Sequence, residues 1–176
     1  MTMPRFLSNN EFINTAPLFE ACFGPDPEFM HDYFGDASRP GDVYHGRIAV
    51  KETDGRIVSM VHLKPVTAVY SRGLTRRELP VTYIMGVATD PAFRHRGYMD
   101  EVMRFVTDTL TSEGALWCFL IAVDKQIYRH LGFVHDWPLS EEEQDLLYAD
   151  DGLTDASACL LNASHMQFPD RIFPRA

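Results

Sequence analysis

The fold of this chain is decided by residues 83–106, which read YIMGVATDPAFRHRGYMDEVMRFV. The stretch begins with apolar and β-branched residues typical of a strand, turns at Asp90-Pro91, and continues into a helix. The helix is predicted to bury one face, because its apolar residues recur at intervals of three and four positions. These residues are Met99, Val102, Met103, Val106 and Leu110. A strand that leads through a short turn into an amphipathic helix therefore forms the centre of the predicted fold.

Basic residues and a glycine lie between this strand and the helix. Their order is Arg94-His95-Arg96-Gly97-Tyr98. The first turn of a helix leaves backbone N–H groups unpaired and carries a partial positive charge, and a glycine lets a ligand approach the backbone. Two arginines add charge that suits a di-anionic phosphate group. These residues therefore predict a phosphate site for a nucleotide or a coenzyme.

This stretch resembles the signature of the GNAT acyltransferase superfamily, Arg/Gln-x-x-Gly-x-Gly/Ala. Arg94 and Gly97 match its first two positions, and Met99 replaces the third. A second resemblance lies at residues 127–133, IYRHLGF, where Tyr128 stands four residues before a Gly-Phe pair. The segment GVATDPAFRHRGYM is most similar to the Eis-like branch, whose members acetylate amines with acetyl-CoA. The resemblance covers roughly residues 6–137.

The resemblance implies an α/β protein with a mixed β-sheet flanked by helices, the GNAT acyl-CoA N-acyltransferase fold. It also implies an enzyme, an acetyl-CoA-dependent N-acetyltransferase that acts directly, in a ternary complex, on a primary amine of a small molecule or peptide. In that fold two parallel strands splay apart, the pantetheine arm pairs with the end of one strand, and the diphosphate lies on the following helix. The coenzyme-binding residues implied here are Val87, Ala88, Thr89, Arg94, His95, Arg96, Gly97, Tyr98 and Met99.

Tyr128 is the predicted general acid. A phenol with a pKa near 10 stays protonated at neutral pH, and it can give its proton to a leaving thiolate. A backbone N–H near Gly86 is expected to polarise the thioester carbonyl. No general base is readable, because the strand PVTYIMGVAT contains no carboxylate. Glu78, His62 and Tyr83 are the nearest candidates, and a lone strand histidine is more typical of a hydrogen-bonded structural residue.

Before the central strand, the pattern predicts a helix and two hairpins. The helix is capped by Asn9 or Asn10 and stops at Gly24-Pro25, and Pro17 should kink it or shift its start. The hairpins are expected to turn at Asp54-Gly55 and at Arg72-Gly73. Their predicted arms are residues 43–52 with 56–66, and residues 67–71 with 75–80.

After the central helix, nine nearly unbroken apolar residues, 115–123, predict a strand that is buried on both faces, as in a parallel pair. Asp124 is a plausible cap for a short helix, with Gly132 just past its end. The other predicted elements are a strand at residues 4–7, short helices at 28–34 and 141–148, a strand at 133–137, and a final strand or helix at 157–168.

Length and composition predict one domain. The chain has 176 residues, of which 45% are hydrophobic and 23% charged, as in ordinary globular proteins. No repeat, linker or low-complexity segment divides it. We expect a GNAT acetyltransferase domain at residues 1–138 and a C-terminal extension at residues 139–176 that packs on the same domain.

Charge and cysteine content restrict the partners. The formal net charge of −9 argues against nucleic acid and favours a cationic co-substrate such as an amine. No apolar run approaches the roughly 20 residues that cross a bilayer, so no membrane partner is expected. Three cysteines without metal-ligand spacing indicate a reduced, cytoplasmic setting and no metal. Association into a homo-oligomer stays open.

Two other functions stay open at this point. The first is a non-catalytic GNAT-fold protein that binds acyl-CoA as a sensor or regulatory module, which Met99 and the missing strand carboxylate would suit. The second is an α/β protein whose basic turn binds another phosphate compound, such as a free nucleotide. Tyr128 favours the enzyme over the sensor.

Overall fold

A computed structural model describes residues 2–25, 46–72, 75–115, 117–122, 124, 126–133, 156–160 and 172–174. Its strands are β1 (Arg5–Phe6), β2 (Arg47–Thr53), β3 (Arg56–Arg72), β4 (Thr75–Thr89), β5 (Trp117–Ile121), β6 (Ala156–Leu160) and β7 (Ile172–Pro174). Its α-helices are α1 (Ala16–Phe23), α2 (Tyr98–Ser112) and α3 (Gln126–Arg129), and 3-10 helices span Asn9–Thr15 and Pro91–Phe93. The chain divides into two compact units, each of which contains part of β3 and part of β4.

The first unit comprises Met1–Lys64 and Met85–Val106. Its strands lie in the order β1-β2-β3-β4, and β1–β2 and β2–β3 are antiparallel pairs. Strand β4 is antiparallel to β3. The N–H of Asp90, just after β4, donates to the Val58 carbonyl near the start of β3 at 2.9 Å, whereas Gly86, earlier in β4, contacts His62, which comes later in β3. A buried apolar cluster forms the core of this unit. Its members are Leu7, Phe12, Leu18, Phe19, Ile48, Val50, Met60 and Ala88.

The N-terminal helix starts one residue earlier than predicted. Ser8 is its N-cap, rather than either asparagine after it, and the Glu11 carboxylate accepts from the Ser8 N–H at 2.9 Å. This Ser-x-x-Glu spacing is that of a capping box. The first turns are 3-10 helix, and Pro17 lies in the first turn of α1, where a missing N–H costs little. Pro17 therefore coincides with the start of the α-helix, one of the two predicted outcomes.

The first hairpin prediction is confirmed, whereas the extent of the second is wrong. Asp54 and Gly55 have φ of 53° and 74°, as a type I′ turn requires. The arms predicted at 56–66 and 67–71 instead form one strand, β3, which continues through Pro65, and the arm predicted at 75–80 joins the central strand in β4, which continues through Pro80. Proline fixes φ near −65°, a value that extended backbone tolerates, and it removes only one donor from the ladder. Residues 73–74, where the second turn was predicted, lie outside the described residues.

Helix α2 buries the predicted face with a shift at its first turn. Four of the five predicted residues are at most 2% exposed: Val102, Met103, Val106 and Leu110. Met99 is only half-buried, and Tyr98 takes the buried position beside it. The difference arises because Tyr98 turns its ring toward the side chains of Lys51 and Phe93.

The second unit comprises Pro65–Ile84 and Thr107–Ala176. Its strands lie in the order β7-β3-β4-β5-β6. Strands β4 and β5 are parallel, with Thr82 opposite Cys118 and Ile84 opposite Leu120, while β5–β6 and β3–β7 are antiparallel. The protein is therefore an α/β protein with a mixed sheet, as predicted.

Strand β5 and helix α3 also match their predictions. Cys118, Phe119 and Leu120 are all buried, and because successive strand residues face opposite sides, both faces of β5 are covered. The Asp124 carboxylate accepts the N–H of Gln126 at 2.9 Å at the start of α3. Gly132, with φ of 90°, follows the helix.

Some predictions fall outside the described residues. They are the helices at 28–34 and 141–148 and residues 134–137 of the predicted strand. Within residues 139–176, β6 pairs with β5 and β7 pairs with β3, both in the second unit. The boundary after residue 138 stays a prediction. In the described part of the chain, no helix has the length and apolar character needed to span a bilayer.

Candidate functional site

The candidate phosphate site is the loop between β4 and α2, in the first unit. Gly97 stands immediately before the helix, and its carbonyl accepts the N–H of Glu101 at 3.0 Å as a first helical hydrogen bond. The φ of Gly97 is 77°, a conformation that L-residues rarely adopt. A Cβ built on Gly97 would have no described atom within 4 Å. Glycine is thus required by the backbone conformation and not by crowding, and the space before the helix is open.

The first turn of α2 supplies backbone donors at this open space. The N–H groups of the first residues of a helix have no carbonyl one turn earlier and point toward its N-terminal end. His95, two residues before Gly97, also has positive φ, at 62°. Such backbone costs of order 1 kcal/mol in a residue other than glycine and is found most often at functional sites. Helix N-termini with unpaired N–H groups are common sites of anion binding, so this loop is a candidate for one.

Two exposed arginines directly precede this helix start. The Nε of Arg94 donates to the Thr89 carbonyl at 3.2 Å, and an Nη of Arg96 donates to the Ala92 carbonyl at 3.3 Å. The Arg96 guanidinium also lies over the ring of Phe93, 5.0 Å from its centroid. Each of these contacts uses one of the five N–H donors of a guanidinium. The arginines are therefore oriented by the loop and retain donors for an anion.

The buried carboxylate of Asp90 stabilises the loop, a role that was not predicted from the sequence. Asp90 is 5% exposed, and its Oδ1 accepts the N–H of Ala92 at 2.9 Å. Its other oxygen pairs with the guanidinium of Arg56 on β3, which also lies 5.7 Å from the centroid of the Phe93 ring. Arg56 and Asp90 are far apart in sequence, so no local pattern connects them.

The end of β4 is held by polar side chains from two other elements. Ser59 on β3 donates to the Ala88 carbonyl at 3.1 Å and bonds the Thr89 hydroxyl at 2.9 Å. The Cys22 thiol on α1 contacts the Thr89 carbonyl at 3.4 Å. Val87, between Gly86 and Ala88, is half-buried. The three strand residues predicted to contact the coenzyme thus lie directly before the loop and are fixed in place.

Gly86 lies near the end of β4 and packs against the His62 ring. Its φ is 55°, and a Cβ there would lie 3.2 Å from two atoms of the His62 ring, closer than almost all real contacts. His62 itself is fully buried, and burial lowers its pKa to about 3. The imidazole is therefore neutral at physiological pH and packs under the glycine, a structural position that does not suit a solvent-linked general base.

Tyr98 and Met99 contribute to the helix start through their backbone. The Tyr98 side chain is buried, with Lys51 Nζ 5.6 Å from its ring centroid. Lys51 also pairs with Glu101 in the first turn of α2. The sequence analysis did not predict a role for this lysine, because a lone Lys in a strand such as RIAVKET is normally solvent-exposed.

Tyr128, the predicted general acid, lies in α3 of the second unit. It is 7% exposed and its ring meets the edge of Phe133, with centroids 5.9 Å apart. Burial raises the pKa of its hydroxyl to about 12. Tyr83, another residue considered for the chemistry, stacks on Phe119 at 4.9 Å. The nine predicted coenzyme residues therefore form two short runs, 87–89 and 94–99, in the first unit, and the predicted acid belongs to the second unit.

Metal sites in proteins gather several His, Cys, Asp or Glu side chains around one point. Among the residues whose placement is described, no three such side chains come together in that way.

The sequence matches a family model described as Acetyltransferase (GNAT) domain over residues 4–135, which is most of the chain. The chain therefore belongs to the GNAT acetyltransferase family. The match includes the central strand, the basic loop, α2 and the Tyr128 motif. No curated protein matches the sequence.

Solved structures share this fold at low sequence identity. A probable N-acyltransferase from Enterococcus faecalis V583 is 19% identical with a TM-score of 0.61, over 76% of this chain and 33% of that one. Eis1 from Mycobacterium abscessus is 16% identical with a TM-score of 0.56, over 90% and 45%. A GNAT family acetyltransferase from Brucella melitensis, in complex with acetyl-CoA, is 18% identical with a TM-score of 0.62, over 98% and 95%. This chain thus spans about a third of the Enterococcus protein and less than half of Eis1.

Proposed function

We propose that this protein is an N-acetyltransferase that moves an acetyl group from acetyl-CoA to a primary amine of a small molecule or peptide. Transfer is direct, with both substrates bound in a ternary complex. The proposal rests on membership of the GNAT family and on one structural observation, the open start of α2 at Gly97, directly after two exposed arginines. The Brucella relative, which shares the fold, binds acetyl-CoA in its crystal.

The residues present fit the coenzyme. Backbone N–H groups of the first turn of α2 are the proposed ligands of the diphosphate, because they point out of the helix into open space. Arg94 and Arg96 add charge and planar N–H donors. Gly97 lets the phosphate reach the backbone, since no atom of the described residues lies within 4 Å of the place where its Cβ would be. Val87, Ala88 and Thr89 present the edge along which the pantetheine arm is proposed to lie.

The chemistry is divided between the coenzyme and the chain. When bound, acetyl-CoA supplies an activated acyl group as a thioester. The backbone N–H groups next to Gly86 are proposed to donate to the acyl oxygen, because the positive φ there turns the strand backbone. The Tyr128 hydroxyl is proposed to donate its proton toward the coenzyme sulfur. Its pKa of about 12 keeps that proton in place at physiological pH.

No side chain is proposed as general base. His62 is buried and neutral, and the strand PVTYIMGVAT holds no carboxylate. An amine that enters with part of its population already deprotonated, or that loses its proton to ordered water, does not need a strong base. The acidic protein, with a formal net charge of −9, favours cationic acceptors.

The second candidate function is a non-catalytic acyl-CoA sensor with the same coenzyme site. Two observations favour it: Met99 replaces the small residue of the family signature, and the central strand lacks a carboxylate. Met99 is half-buried and extends from the first turn of α2. Binding experiments cannot separate the two candidates, whereas turnover can.

Melting temperature measured with acetyl-CoA, CoA and ATP tests coenzyme binding. A ligand that binds only the folded state raises the apparent stability, so acetyl-CoA and CoA should raise the melting temperature and ATP should not. Equal shifts with ATP would favour a nucleotide site. The absence of any shift with CoA would remove both candidate functions.

Release of free thiol in a screen of polyamines, aminoglycosides, amino acids and peptides tests turnover. With an active acceptor in hand, Tyr128→Phe is predicted to lower kcat about a hundredfold, as expected for loss of a general acid. Its Kd for CoA should stay within about twofold of the parent, because the aromatic ring is retained and only the hydroxyl is lost. Equal kcat values for Tyr128→Phe and the parent would end the proposed role of this residue.

A further inference from the structure

Lys51 is a buried cation behind the first turn of α2. It lies on β2 and is 2% exposed. Its Nζ pairs with the Glu101 carboxylate and donates to the Thr2 carbonyl at 2.6 Å. The ring of Tyr98 faces the same ammonium, with its centroid 5.6 Å away. The charge is thus enclosed by a carboxylate, a carbonyl and an aromatic face, all within the first unit.

The acidic first turn of α2 conflicts with the binding of an anion there. Asp100 and Glu101 both lie in this turn. Acidic side chains stabilise a helix N-terminus by interacting with its dipole, but the same negative charge repels an anionic ligand at that end. Glu101 follows Gly97 by about one helical turn, roughly 6 Å along the axis. That separation is shorter than the Debye length of about 8 Å at physiological ionic strength, so solvent ions do not remove the repulsion.

We propose that Lys51 is a positioning residue that cancels the charge of Glu101, so that the start of α2 can bind the diphosphate of coenzyme A. This inference rests on the proposed function. Lys51 is too deeply buried to contact the ligand and acts through the Glu101 carboxylate, which is 38% exposed. Burial keeps the ammonium in one place and makes its pairing with Glu101 less sensitive to salt.

A purely structural role for the pair predicts a different pattern of effects. If Lys51 and Glu101 only tie β2 to α2, removing either partner disturbs the same helix start, and CoA binding weakens in both cases. If Lys51 cancels charge, the two removals have opposite effects. Loss of the lysine leaves a free carboxylate beside the ligand, whereas loss of the carboxylate leaves a positive charge behind it.

The test is calorimetric measurement of the Kd for CoA in the parent, Lys51→Met, Glu101→Gln and the double variant. Folding of each variant is checked by circular dichroism. Lys51→Met is expected to raise the Kd about tenfold, the effect of one unit charge near the ligand at intermediate dielectric. Glu101→Gln is expected to bind CoA at least as tightly as the parent. The double variant should return to within about threefold of the parent, because the pair is again neutral.

The outcomes separate the inference from the proposed function. If both single variants weaken CoA binding, or if Lys51→Met binds like the parent, the inference is overturned while the coenzyme site stands. If Lys51→Met does not fold, weaker binding by Glu101→Gln overturns the inference, and binding equal to or tighter than the parent supports it. If the parent itself does not bind CoA, the proposed function fails and the inference fails with it.

Discussion

Two properties of position 97 favour glycine over any residue with a side chain. Its backbone has a positive φ of 77°, and the position where a side chain would begin is open space in front of the helix. The first property would strain any L-residue. The second means that a side chain there would project toward the proposed diphosphate.

Gly97→Ala is therefore predicted to weaken CoA binding about tenfold, the cost of one lost charge-assisted hydrogen bond. It should also lower the free energy of unfolding by about 1 kcal/mol through backbone strain. Gly114→Ala is a matched control, since Gly114 follows the other end of α2 with φ of 80° and the same open surroundings. Calorimetry and urea unfolding should show a similar stability loss in both variants but a changed Kd only in Gly97→Ala. A similar Kd change in the control would contradict the role of Gly97.

His62 gives the protein a pH dependence that can be predicted in sign. Burial lowers its pKa from 6.5 to about 3 in the folded state. Between these values the unfolded chain binds a proton that the folded chain does not, so stability rises with pH. The contribution of the neutral imidazole is fully present above pH 6.5 and is lost as the pH falls toward 3.

His62→Gln is predicted to reduce this slope by up to about 1.4 kcal/mol per pH unit, the value for one proton. The measurement is the free energy of unfolding in urea from neutral pH to about pH 4, where the parent should lose stability faster than the variant. The other ionisable groups are the same in both proteins, so their contributions cancel when the free energy of unfolding of the variant is subtracted from that of the parent. Parallel curves would show that His62 is not shielded from protonation as the structure implies.

At the scale of elements, the strand, loop and helix at residues 83–106 could be predicted because the residues that determine them are close together in sequence. The apolar spacing of α2, Asp90-Pro91 and Gly97 lie within one short stretch, and each acts on its own neighbours. The turn at Asp54-Gly55 could be predicted from the sequence. The lengths of the strands could not, because a proline can stop a strand or lie within one. The pairs Lys51–Glu101, Arg56–Asp90 and His62–Gly86 bring distant residues together, and a single sequence carries no sign of such contacts.

The contact between β3 and β4 at His62 and Gly86 can be tested by substitution. Gly86→Ala should be more destabilising than Gly114→Ala, because both have a positive φ but only Gly86 would place its Cβ 3.2 Å from another side chain. The expected excess is about 1–3 kcal/mol, typical of overpacking in a core. Urea unfolding of the two variants measures it. Equal losses would mean that the His62 ring moves aside at little cost.

At the scale of the whole molecule, a basic loop is set in an acidic protein. The formal net charge of −9 repels an anionic coenzyme at long range, so the proposed site relies on the local positive charge of the start of α2 and its arginines. The same charge attracts a cationic acceptor. The family and its fold could be predicted from the sequence. The acceptor could not, because no motif in the remaining segments indicates which amine they would bind.

The charge predicts how the choice of acceptor depends on salt. For a polyamine acceptor, kcat/KM should fall as ionic strength rises, because screening weakens attraction between opposite charges. For an amino acid with no net charge, the same change should leave kcat/KM within about twofold. Steady-state rates at saturating acetyl-CoA measure both. Equal salt dependence for the two acceptors would mean that the net charge plays no part in acceptor capture.

The most direct test of the coenzyme site is a crystal structure of this protein with CoA. The diphosphate oxygens should lie about 3 Å from backbone nitrogens in the first turn of α2, with Arg94 or Arg96 beside them. A diphosphate bound elsewhere, with the helix start at Gly97 exposed to solvent, would contradict the account.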